Sequence, residues 1–277
     1  MAKKRKKRIK SERKLKIGSD YRIAVHYDRM IKHHDKKRYA EAISEAEKLL
    51  QITPRRSDER YDAYSVGGGS LMMLRQYEEA YQFMKRAVKE FPEDSALRLN
   101  LAGAAIFTSR SGVALRELKA AAQLEPKGTR VRKIIDEKLR EIEPLVLEEI
   151  AERGADFTLE MLIKQQERYN QGLKHMTKQR WKEAEKAFRD VIALGDVLPQ
   201  PWNNLGTSLL MQGRSDEARK AFQRALELDP DYDIARQNLS LAEKSNEGSH
   251  LVLKMTQPFA DAKISILREE PALTVVR

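Results

Sequence analysis

The chain of 277 residues has no cysteine, and only 6% of its residues are aromatic. Disulfide frameworks, cysteine-based zinc sites and thiol nucleophiles are excluded at once, and a reducing, cytoplasmic setting is the default expectation. No apolar run approaches the roughly 20 residues that cross a bilayer. The opening MAKKRKKRIKSERK is basic but lacks the apolar stretch of a secretory signal. Gly-x-Ser-x-Gly and His-Glu-x-x-His are both missing. The run Gly67-Gly68-Gly69-Ser70 follows no predicted strand and has no Gly-Lys-Ser/Thr ending, so it reads as helix interior and not as a phosphate cradle. Five histidines are present. His33 and His34 would point about 100° apart on a helix, and His26 and His33 share a face with no third ligand nearby. The expectation is a chain that is not an enzyme, with no metal and no cofactor.

Charge is abundant and unevenly placed. The net charge is +11, yet residues 1–20 alone hold ten Lys/Arg against Glu12 and Asp20, a balance of +8, which leaves +3 for the other 257. Mutual repulsion and scarce apolar residues predict a disordered basic tail over 1–20. Lys3, Lys4, Arg5, Lys6, Lys7, Arg8, Lys10, Arg13, Lys14 and Lys16 are its candidate polyanion contacts. A nucleic acid held this way would bind with little base preference and steep salt dependence. The KKRK stretch is similar to a nuclear-import signal, which gives a nuclear location if the organism is eukaryotic. A merely solubilising tail is the third alternative.

The rest of the chain repeats. Gly206, Ala218 and Phe222 recur 34 residues earlier as Gly172, Ala184 and Phe188, and Ala80, Met84, Ala87 and Pro92 recur 34 later as Ala114, Leu118, Ala121 and Pro126. A more divergent unit sets Tyr39, Ala42, Leu49 and Pro54 in the same order. Each unit reads as two helices, the second stopped by a proline, with small residues where the helices cross. One such hairpin cannot bury both apolar faces, so units must stack.

With Trp202, Leu205, Gly206, Ala218, Phe222, Ala225 and Pro230 in place, the segment 199–232 resembles a tetratricopeptide repeat, and the other units resemble it less completely. The resemblance implies an all-α, right-handed solenoid that binds proteins or peptides. The expected organisation is an array over 21–128 (repeats near 23–56, 61–94 and 95–128), a degenerate helical linker over 129–164, a pair over 165–246 (165–198, 199–232 and a capping helix), and an extended or flexible segment over 247–277. The linker is expected to form a helix pair interrupted at Pro144, with Asp156 capping the helix that follows. The capping helix should bury Ile234, Leu239 and Leu241.

First helices of stacked repeats line the concave side, so Asn170, Asn204 and Asn238 would form a column there, with Asn100 in the same register earlier. An amide can donate to and accept from an extended peptide backbone, and the resemblance implies this use. Gln166, Tyr169, Leu173, Met176, Gln200, Asn203, Thr207, Leu210 and Met211 are expected around the column, giving a largely uncharged, Met-containing surface suited to a hydrophobic or mixed peptide. The carboxylate-clamp pattern of the family is not met. Tyr169, Leu173, Ile234 and Asn238 stand where most of its polar residues would be, and only Asn204 agrees.

Overall fold

The computed structural model describes residues 20–244. The candidate polyanion residues Lys3 to Lys16 and the segment 247–277 lie outside the described residues. Within them there are twelve helices and no strand. They are α1 (residues 20–35), α2 (Tyr39–Ile52), α3 (Asp58–Met73), α4 (Tyr77–Glu90), α5 (Ser95–Phe107), α6 (Ser111–Leu124), α7 (Arg130–Ala151), α8 (Leu159–Thr177), α9 (Trp181–Leu194), α10 (Pro199–Leu210), α11 (Ser215–Leu228) and α12 (Asp233–Lys244). The described residues fall into two compact units, one of residues 20–108 and 114–140, the other of residues 109–113 and 141–244. The architecture is an all-α helical repeat.

The turn inside each helix pair is the same device used repeatedly. Lys37, Arg75, Ser109, Gln179 and Gly213 all have φ between 56° and 78°. At four of these turns the N–H that follows the left-handed residue reaches back five positions: Arg38 to His33 O, Gln76 to Leu71 O, Arg180 to His175 O and Arg214 to Leu209 O, at 2.8–3.1 Å. This closure satisfies carbonyls that the helix end would otherwise leave open. First helices are capped from the other side, by Ser57 on α3, Asp94 on α5 and Thr158 on α8.

Pairs are tight because glycine faces an aromatic ring. A Cβ on Gly206 would lie 2.6 Å from Phe222 Cε1, and one on Gly172 would lie 2.7 Å from Phe188 Cζ. In the first unit α3 runs unbroken through Gly67-Gly68-Gly69, and the place of the phenylalanine is taken by Met84. The core of the second unit gathers Tyr169, Phe188, Leu205, Leu209 and Phe222, and a core cluster of the first gathers Met30, Ala46, Leu49, Ala63 and Val66.

Three expectations are corrected. Residues 130–151 form one helix and not a pair. Pro144 is exposed inside α7, where loss of its N–H costs about 3 kcal/mol, but the neighbouring Ile142 and Val146 are fully buried in the second unit and hold the turn. The cap of α8 is Thr158, whose hydroxyl accepts from Met161 N–H at 3.2 Å, while Asp156 is exposed two residues upstream. On α12 the buried stripe is Ala235, Asn238 and Ala242, with Ile234, Leu239 and Leu241 only half-buried. Small side chains allow the close approach of the helix, and the larger ones flank it.

Candidate functional site

The candidate site belongs to the second unit, on the face shared by α8, α10 and α12. Helical spacing puts Gln200, Asn203, Asn204, Thr207 and Met211 along one side of α10. Asn204 is fully buried and donates from Nδ2 to Tyr169 Oη on α8 at 2.9 Å. Asn238 on α12, also fully buried, donates from Nδ2 to Asn203 Oδ1 at 2.9 Å. Asn203 in turn donates to Asn204 Oδ1 at 3.3 Å, so one line of side-chain hydrogen bonds runs across three helices. Burial raises the pKa of Tyr169 well above the usual phenol value, and the phenol stays protonated. Thr207 and Ser208 turn their hydroxyls onto the carbonyls of Asn203 and Asn204, one turn back.

The asparagines expected as a surface column lie on α8, α10 and α12, where Asn204 and Asn238 are buried and bonded within the protein. Asn170, half-buried, donates to Gln166 O in its own helix at 2.9 Å. Asn204 and Asn238 are each joined to a residue 35 positions earlier in the chain. Gln166 is committed elsewhere in the unit. It donates to Ser111 Oγ at 2.6 Å and accepts from Gly112 N–H at 3.1 Å, and Ser111 donates to Glu149 at 2.9 Å. Met176 and Leu210 are buried in the core, so they are not surface residues as expected, and Leu173 packs against the same core while half-buried. Met211 is 44% exposed. Asn100 is on α5 in the first unit, away from this set. It is buried, and its Nδ2 has no hydrogen-bond partner.

Gln200 gains importance from the structure. Its Oε1 is buried and accepts no hydrogen bond from the protein, one turn before Asn203 and Asn204. The sequence marked Gln200 only as one of several neutral residues around the column, because pairing of an amide depends on where the adjacent helix stops. Glu185 was not anticipated. It accepts from Gln212 Nε2 at 3.0 Å and Arg214 Nη1 at 2.8 Å, and pairs with Arg189 on its own helix. Burial opposes its ionisation, but these donors together hold its carboxyl below the usual range.

Among the described residues no group of three or more His, Asp and Glu is placed to hold a metal ion. His26 Nδ1 instead lies 2.5 Å from Glu45, and His34 Nδ1 lies 3.0 Å from Ser70 Oγ. No described helix is long and apolar enough to cross a membrane.

Comparison with known proteins gives two matches to family models described as tetratricopeptide repeat, over residues 71–135 and 199–232. Among solved structures, the chain is similar to the TPR2AB-domain:pHSP90 complex of yeast Sti1, at 18% identity with 81% of this chain and 84% of that one covered and a TM-score of 0.38. It is similar to MamA protein at 16% identity, covering 83% and 98%, with a TM-score of 0.36. It is also similar to the P58(IPK) TPR domain at 15% identity, covering 81% and 65%, with a TM-score of 0.44.

Proposed function

Because the chain is a tetratricopeptide-repeat protein, we propose that it works as a non-catalytic interaction scaffold whose second unit holds an extended peptide on the face of α8, α10 and α12. The observation that carries this reading is the buried, unsatisfied Gln200 Oε1. A buried acceptor without a donor costs about 1–3 kcal/mol, and a peptide N–H laid along α10 relieves that cost. The line from Asn238 to Tyr169 fixes Asn203 and Asn204 beside it, so the face is preorganised. Half-buried Asn170 and exposed Met211 flank it and supply an amide and an adaptable apolar contact.

This division of labour changes which variants report on binding. Gln200→Leu and Met211→Ala touch the face without cutting the buried line, whereas Asn204 and Asn238 belong to the fold. Proteins retained from a lysate by the immobilised full chain should be identified, and peptides from their extended segments titrated against wild type, Gln200→Leu and Met211→Ala. Loss of one hydrogen bond to an uncharged partner predicts a weakening of about 0.5–1.5 kcal/mol, roughly three- to tenfold. Unchanged affinity of every partner in both variants sinks the assignment of this face.

A further inference from the structure

The first unit carries a groove of a different character. Between α1 and the start of α3 lies a cavity of about 410 Å³. Its wall includes the apolar Ile23 and Ala24, and Tyr27 crosses it to donate from Oη to Asp62 Oδ2 at 2.7 Å. That bond, reinforced by burial and by the charge of Asp62, pushes the Tyr27 pKa up to about 12. Asp28 from α1 and Asp58 from α3 are exposed at its edge, Glu59 is half-buried beside them, and Asp20 completes the set at the point where α1 begins. The groove thus combines an apolar wall with five carboxylates, which is the chemistry that receives a lysine or arginine. The aliphatic stem lies on the wall and the charged head reaches the rim.

We propose that this groove docks residues 1–19 of the same chain, in a salt-sensitive intramolecular contact. Two observations choose this occupant over others. Residues 1–19 hold ten Lys/Arg against the single acid Glu12, so their charge is opposite to that of the rim. The segment also joins the fold at Asp20, which itself lines the groove, so Lys14 and Lys16 are only six and four residues from the rim. A tether this short keeps the effective concentration of the segment on the order of millimolar, enough to populate a contact that separate molecules would not form. The consequence is regulatory, because cations held by the groove are withheld from any polyanion until that polyanion displaces them. This inference is independent of the peptide face on the second unit.

The test uses the full chain and the triple variant Asp28→Asn, Asp58→Asn, Glu59→Gln, which leaves Tyr27 and Asp62 in place. Trypsin cleavage within residues 3–16 is followed at low salt and at about 0.5 M salt, where exposed charges are screened. Cleavage should be about fivefold faster in the variant at low salt, as expected when some four-fifths of the segments are docked in wild type, and high salt should bring wild type to the rate of the variant. Carbodiimide cross-linking of mixed isotope-labelled and unlabelled chains should join lysines of the segment to Asp28 or Asp58 within one copy. Should the acid variant fail to fold by circular dichroism, about 0.5 M salt should abolish the same cross-links in wild type. Equal cleavage of wild type and variant at low salt overturns the proposal, as do cross-links that join only different copies.

Discussion

Asn204 illustrates how a residue that reads as a ligand contact becomes part of the fold. Its amide is fully buried, donates to Tyr169 and accepts from Asn203. Asn204→Ala removes both of these buried hydrogen bonds, so it should lower unfolding stability by about 1–3 kcal/mol, measurable by urea denaturation, before any effect on binding is considered. A change under about 0.5 kcal/mol, the scale of ordinary surface substitutions, shows that the line is dispensable. Glu90 makes a comparable contribution in the first unit. It is buried, and burial alone would raise its pKa. Arg60 Nε at 2.6 Å, Arg56 N–H at 3.0 Å and Tyr64 Oη at 3.2 Å outweigh that effect and hold it below the usual carboxylate value. A pKa lowered by folding means stability that is complete above the unfolded value and lost as pH falls through the folded one. Urea midpoints followed from about pH 6 down to pH 3 should therefore fall more steeply for wild type than for Glu90→Gln, which starts lower and has no such carboxyl to titrate. Parallel curves refute the assignment.

At the scale of the helix, the sequence was most legible where packing is repeated. The 34-residue recurrence of Gly172 with Gly206 and of Phe188 with Phe222 located the crossings, because a ring against a glycine is a contact that two residue types specify together. Polar connections were less legible. Asn204 to Tyr169 and Asn238 to Asn203 each span 35 positions, one more than the 34-residue repeat. The search for a column at 34 found the right helices and the wrong partners. The single helix α7 was hidden by Pro144, since local propensity yielded to the buried residues around it. The crossings themselves support a paired prediction. Gly206→Ala drives a methyl to within 2.6 Å of the rigid Phe222 ring and should cost about 1–3 kcal/mol. In Gly68→Ala the methyl meets Met84 Cε, the far end of a flexible side chain, and the gain in helix propensity of about 1 kcal/mol offsets the repacking. Thermal unfolding of the two variants should differ clearly, and equal losses contradict this account of the two crossings.

Taken as a whole molecule, the protein carries two faces of unlike chemistry in two separate units, a neutral amide face and an acidic groove. Only the first was visible as a pattern in the sequence, since the acids of the second are brought together from α1 of the most divergent repeat and α3 of the next. The line of amides also bears on how such a chain can change its length. Asn238 stands 34 residues after Asn204, so excising 199–232 returns it to the register of Asn204, with Tyr169 Oη waiting as acceptor. Leu239 likewise takes the place of Leu205 in the core. A chain lacking those residues should still unfold in one cooperative transition by circular dichroism, at lower temperature because buried surface is lost. A broad, non-cooperative melt contradicts this. A genetic deletion of one whole repeat thus heals its own junction, hydrogen bond included, whereas a deletion a single codon longer or shorter leaves a buried amide facing the wrong atom.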